Sequence, residues 1–301
     1  MRTSNAAMWL ALLALGFVWG SSFILMKLAL FDRGGMPLFS ALDVAMGRIA
    51  IAGLAMLPIA VYHRQHLNAA TLPWLLVVGT VGNLVPAYCF TTAQTMIPSS
   101  VAGMLNALTP MFTFLVGVML FRTRMKRLQV AGLLVGLLGA GVLAFQPGMG
   151  SALHVDMASG AGRVVLATAC YGLSVNVIRH KLGHVPAPAV AALSLGMVGI
   201  PAMGMALAGP SLGLAFDHPD GMRGLAAVVV LAVVGTGLSL VAFNRIIQKT
   251  NALFASTVTY IIPLFATMWG WLDDEPLTVL HLLGGMVVLV GVRLVSLGGK
   301  T

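Results

Sequence analysis

Apolar runs of about 20 residues, separated by short polar breaks, follow one another along almost the whole chain. A bilayer core about 30 Å thick is crossed by about 20 helical residues. Ten such runs can be marked, at 8–30, 39–62, 73–96, 98–121, 127–146, 161–180, 187–208, 223–246, 252–272 and 279–297. They are continuously apolar rather than alternating with period two, which predicts helices and not a membrane barrel. The pattern therefore predicts an all-α integral membrane protein with ten transmembrane helices. The first run is too long for a signal peptide and lacks a small-residue cleavage site, so it is expected to remain as a helix.

Composition agrees with the pattern. Of 301 residues, 59% are hydrophobic and 8% charged, against about a quarter charged in soluble domains. A net charge of +9 would suggest a nucleic-acid partner in a soluble protein, but here it has a topological reading. With the N-terminus inside, Arg2, Arg64, Arg122, Arg124, Lys126, Arg127, Arg179, Lys181, Arg245, Lys249, Arg293 and Lys300 lie in or beside cytoplasmic segments. Arg33, Arg163 and Arg223 lie on the other side, and Lys27 and Arg48 fall within spans. Both termini are then cytoplasmic, as an even number of helices requires. Cys89 and Cys170 sit in apolar runs and read as small buried hydrophobes rather than a disulfide or metal ligands.

The chain is also written twice. Shifting it by 153 positions pairs Gly82 with Gly235, Phe90 with Phe243, Ala102 with Ala255, Pro110 with Pro263, Phe112 with Phe265, Gly117 with Gly270 and Gly132 with Gly285. A shift of 152 brings Trp19-Gly20-Ser21-Ser22 onto Tyr171-Gly172-Leu173-Ser174 and Lys27 onto Arg179. Five helices per copy is an odd number, so the second copy enters the membrane from the opposite side. The expected organisation is a first repeat over 1–146, a polar linker over 147–160 and a second, inverted repeat over 161–301. Inverted repeats are characteristic of secondary transporters that work by alternating access.

These residues carry a resemblance. Trp19-Gly-Ser-Ser-Phe23, Arg48, the Pro110 and Pro263 helices and the Gly132 and Gly285 helices resemble, in order and duplication, the EamA family of the drug/metabolite transporter superfamily. The resemblance covers nearly the whole chain. It implies ten helices in two inverted repeats, a central cavity, and export of amino acids or related metabolites across a bacterial inner membrane. One departure concerns a glutamate that the family often has ten residues before the glycine of each closing helix. Glu275 supplies it in the second half, whereas Arg122 stands there in the first.

Polar groups inside the hydrocarbon are costly, so each is a candidate for function, with helix-to-helix hydrogen bonding as the competing explanation. A cavity formed by helices 1, 3, 4, 6, 8 and 9 would draw on Trp19, Ser22, Asn83, Tyr88, Asn106, Tyr171, Asn176, Thr236, Thr259 and Tyr260, with Arg48 contributed by helix 2. Arg48 reads either as an anchor for a substrate carboxylate or as a latch between helices. Lys27 and Asp43 come to similar depths and are expected to face each other, as a structural ion pair or as part of a gate or proton-coupling device. Asp43 is the only carboxylate within a predicted span, so proton antiport and facilitated diffusion both stand.

Proline cannot donate to the carbonyl four residues earlier. That residue is Asn106 for Pro110 and Thr259 for Pro263. Each half thus carries a kink with a polar side chain beside it, and the two prolines are candidate hinges.

Phosphate-binding, zinc-protease and serine-hydrolase motifs are missing from the sequence, and no cofactor or metal is called for. The expected partners are a small-molecule substrate and the lipid bilayer. The expectation is a transporter and not an enzyme. A multidrug or lipophilic-cation exporter is the alternative within that class, and a membrane enzyme or lipid-handling protein the alternative outside it.

Overall fold

The computed structural model describes residues 5–121, 126–144, 151–249 and 258–298. The described residues fold as helices α1 (Asn5–Leu30), α2 (Ala41–Tyr62), α3 (Leu72–Ala93), α4 (Ser99–Phe121), α5 (Arg127–Ala144), α6 (Ser151–Lys181), α7 (Ala187–Ala208), α8 (Gly221–Gln248), α9 (Val258–Leu272) and α10 (Val279–Gly298). The first eight are long and apolar enough to cross a membrane, and α9 and α10 are shorter apolar helices whose described parts complete the ten. Short turns carry recognisable boundary chemistry. The Ser40 hydroxyl accepts from the Asp43 N–H at the start of α2, and Pro98 and Pro186 stand just before α4 and α7, where a missing N–H costs nothing.

One boundary differs from the expectation. Helix α6 begins at Ser151, ten residues before the apolar run expected at 161. Apolarity reports which residues sit in hydrocarbon, not which are helical, so a polar extension such as the one holding Asp156 and Ser159 is invisible to a hydropathy reading.

The two halves pack as pseudo-symmetric copies. Helices α2 and α7 cross where Gly53 meets Gly199; a Cβ on Gly53 would stand 3.0 Å from Leu195 O, and one on Gly199 would stand 3.4 Å from Ile49 O. Helices α5 and α10 meet through Gly132, Gly136, Gly139 and Gly291, and a Cβ on Gly132 would lie 2.6 Å from Gly291 O. Each of these pairs joins a helix to its own counterpart, so the pseudo-axis runs between them. The remaining helices pair crosswise: α1 against α9 corresponds to α6 against α4, and α3 against α6 corresponds to α8 against α1. Large apolar side chains cover the periphery, with Ile200 78%, Leu138 68% and Leu264 67% exposed. A surface of that kind is satisfied by lipid rather than water.

Candidate transport cavity

The helices that cross between the halves surround a central cavity. All six helices expected to build it contribute, and α2 adds Arg48. Its shape depends on two widened turns that the sequence did not announce. Helix α3 makes a π turn over Thr80–Leu84, and α8 makes one over Val233–Leu238. These are repeat-matched positions. A π turn lengthens the spacing between backbone donor and acceptor, and side chains fill the gap. Asn83 Nδ2 donates to Val78 O at 3.0 Å, and Thr236 Oγ1 donates to Leu231 O at 3.0 Å, each reaching back five residues.

Glycines let neighbouring helices close on these turns. The position of a Cβ on Gly82 is occupied by the Ser174 hydroxyl, and one on Gly235 would meet the Ser22 hydroxyl at 3.1 Å. Ser22 and Ser174 are themselves repeat partners. The lining is therefore built largely from duplicated pairs: Trp19 with Tyr171, Ser22 with Ser174, Gly82 with Gly235, Asn83 with Thr236, Phe90 with Phe243 and Asn106 with Thr259.

Aromatic contacts cross from one half to the other. Trp19 lies edge-on to Phe243 with ring centroids 4.9 Å apart, and Tyr171 stacks on Phe90 at 6.0 Å. Trp19 also donates its indole N–H to Gly235 O at 3.1 Å, inside the π turn of α8. The two expected aromatics thus line the cavity and tie the halves together.

Arg48 breaks the symmetry. The contact of Gly53 with Gly199, and of Ile49 O and Leu195 O with the opposite glycine, makes Ser194 the counterpart of Arg48. Ser194 is fully buried and bonds the Ala191 carbonyl. Arg48 lines the cavity, donates from Nε to Thr236 Oγ1 at 2.8 Å and approaches Met26 Sδ at 3.9 Å. Among the described residues no carboxylate pairs with it. Four of the five N–H donors of a guanidinium therefore have no oxygen partner there.

The two proline helices differ. Helix α4 breaks at Ala107 and Leu108, whose N–H groups donate to Met104 O and Leu105 O in tightened turns. Thr109 Oγ1 donates to the Asn106 carbonyl at 2.8 Å, satisfying the acceptor that Pro110 cannot serve. The Asn106 side chain is left at the cavity. Pro263 lies within the continuous helix Val258–Leu272, and Thr259 lines the cavity beside it.

Lys27 and Asp43 do not face each other. Lys27 Nζ lies 2.5 Å from Asp273 Oδ2 and 3.1 Å from Glu275 Oε1, both in the segment between α9 and α10. Similar depth did not fix the direction in which each side chain leaves its helix. Asp43 Oδ2 instead accepts from Ser211 Oγ at 2.7 Å, away from the cavity. Glu275 also accepts from Ser99 N at 2.9 Å and from Ser100 N and Oγ at 3.0 and 2.6 Å, so it caps the start of α4. Burial pushes its carboxyl up, but the three serine donors and the Lys27 charge outweigh burial and hold it below the usual carboxylate range.

Three expected lining residues lie elsewhere. Tyr88 is 45% exposed and turned to the periphery of α3. Asn176 is buried between helices, donating to Thr113 O and Gly172 O at 2.8 Å each, so helix packing explains it. Tyr260 packs against the hydrophobic core beside Thr259. The lining also includes Thr109 and Asn244, polar residues within the spans, and Phe23, Met26, Gly82, Phe90, Ser174, Val175, Ile178, Gly235, Leu240, Phe243, Val258 and Ile262, which were not among the expected lining residues. The duplicated glycines and phenylalanines were the available signal for four of these.

Comparison with known proteins agrees with this architecture. The chain is 23% identical to a probable terminal-alkyne amino-acid exporter of Streptantibioticus cattleyicolor, over 97% of this chain and 94% of that one. It is 26% identical to the uncharacterized inner membrane transporter YedA of Escherichia coli K12, covering 96% and 90%. A probable amino-acid metabolite efflux pump of Salmonella typhimurium is 24% identical over 91% and 89%. A solved crystal structure superposes with a TM-score of 0.62 over 98% of both chains at 19% identity, which shows a shared fold. The pattern of the EamA-like transporter family matches residues 6–145 and again 158–297, and the chain belongs to that family.

Proposed function

We propose that this protein exports amino acids or related small metabolites across a bacterial inner membrane by alternating access. The halves 1–146 and 161–301 would move against each other about the paired α2–α7 and α5–α10 contacts, joined by 147–160. The excess of Lys and Arg in the loops places both termini in the cytoplasm on this reading. The observation that carries it is Arg48, a cavity-lining cation with a single strong hydrogen bond, to Thr236, and no carboxylate partner among the described residues. A substrate carboxylate would take up its free donors in a bidentate pair. Asn83 gives its amide N–H to Val78 O, which leaves its oxygen to accept from the substrate's ammonium. Trp19, Tyr171, Phe90 and Phe243 supply an apolar surround. Pro110 and Pro263 serve as hinges in this scheme, and Lys27 with its two acids as a gate. The carboxylates of the described residues lie outside the cavity lining, which favours an anionic or zwitterionic substrate over a lipophilic cation.

The test is flux of labelled amino acids in proteoliposomes. Arg48→Gln is expected to abolish saturable flux or raise its half-saturation at least tenfold, with Arg48→Lys in between because an ammonium keeps the charge but loses the fork. Undiminished flux in Arg48→Gln would remove the carboxylate anchor.

A further inference from the structure

The cavity has a second polar pole. Asn244 lines it on α8, is 2% exposed, and its Oδ1 has no hydrogen-bond partner among the described residues. A buried polar atom without a partner is unfavourable, and a ligand that pairs with it gains what the free protein lacks. Thr236, Leu240 and Asn244 follow one another at helical spacing on the cavity side of α8. Thr236 holds the Arg48 guanidinium, so Asn244 stands two turns beyond the cationic pole, about 12 Å along the helix at 1.5 Å per residue. Leu240 and Phe243 on α8 and Val258 and Ile262 on α9 supply apolar lining beside Thr259.

We infer that Asn244 selects substrates whose far end bears a hydrogen-bond donor: extended amino acids carrying a carboxylate at one end, an apolar chain of about five or six carbons, and a hydroxyl, amide or ammonium group at the other. This rests on the assignment of the carboxylate to Arg48. A chain of that length, with a hydrogen bond of about 2.8–3.0 Å at each end, spans the separation of the two poles. The terminal amide of asparagine can turn to present oxygen or nitrogen to the ligand, and the donor end would find the oxygen. A shorter amino acid, anchored at Arg48, would leave Asn244 without its partner.

The experiment compares two neutral zwitterions of equal length, 2-amino-6-hydroxyhexanoate and 2-aminoheptanoate, which end in hydroxyl and methyl. Uptake of each is measured in proteoliposomes containing the full-length protein or its variants. The wild type is expected to take the hydroxyl compound with about fivefold or greater preference in half-saturation. Asn244→Leu should erase that preference, raising the hydroxyl compound's half-saturation to or above that of the methyl compound. The isosteric Asn244→Asp, which keeps an acceptor, should retain the preference and extend it to lysine. A preference that survives Asn244→Leu, or a loss that falls equally on both compounds, would overturn the inference and leave the Arg48 anchor standing. Loss of selectivity with full carboxylate-dependent uptake in Arg48→Gln would instead overturn the anchor itself.

Discussion

Lys27 and Glu275 belong to opposite halves of the chain, yet Nζ and Oε1 lie 3.1 Å apart at the point where α4 begins. Glu275 uses its other oxygen on Ser100, so one carboxylate ties α1, α4 and the segment before α10 together. Replacing it with glutamine removes the charge that three serine donors and a lysine address. The expected cost is about 1.5–3 kcal/mol, the range for hydrogen bonds to a charged partner. Its pH dependence has a definite sign. The folded carboxyl titrates below its ordinary 4.5, so its contribution is complete above that value and disappears as pH falls through the folded one. Thermal melting in detergent should therefore be flat with pH around neutrality as far as this group is concerned, and decline on the acid side. Glu275→Gln should melt lower at neutral pH and lose part of the acid decline.

The Thr109 hydroxyl serves the carbonyl that Pro110 leaves open. Thr109→Val keeps the shape and removes the donor, and should destabilise the protein by about 1–3 kcal/mol. Thr109→Ser should restore most of it. Equal melting temperatures for valine and threonine would show that water or another group satisfies the Asn106 carbonyl.

Asp43 is bonded to Ser211 and lies outside the cavity lining. Asp43→Asn is therefore expected to leave the pH profile of flux unchanged while lowering stability slightly. A flattened profile in proteoliposomes would return Asp43 to a coupling role.

Gly291 meets the backbone of Gly136 so closely that a Cβ there would overlap the Gly136 N and Cα. Gly291→Val is expected to force α5 and α10 apart, at a cost of about 1–3 kcal/mol typical of overpacking or more, seen as a lower melting temperature. Gly141, with open space around its Cβ position, should accept alanine without loss and serves as the control.

Much of this architecture was readable because it was duplicated. Trp19 and Tyr171, and Asn106 and Thr259, stand at matched positions in the sequence, and the lining holds all four, together with Asn83 and Thr236. The π turns were not readable, since nothing in a run such as Thr80-Val-Gly-Asn-Leu84 distinguishes a π turn from an α turn before a neighbouring helix closes on it. Lys27 was paired in the sequence reading with Asp43, whereas it meets Asp273 and Glu275, because azimuth depends on which helices pack together. Tyr88 and Asn176 show the limit of polarity as a signal: an aromatic hydroxyl tolerates the membrane periphery, and both N–H donors of a buried amide can be taken by backbone carbonyls. Asn244 was legible only as one polar residue within a span; what sets it apart is its oxygen, which has no partner among the described residues.

A molecule with perfect two-fold symmetry in the membrane plane would look the same from either compartment and could hold no preference for direction. Here the exchange of Ser194 for Arg48 at corresponding positions gives the pore a top and a bottom. Part of the difference between the two ends of this cavity is written in a side chain that has no twin.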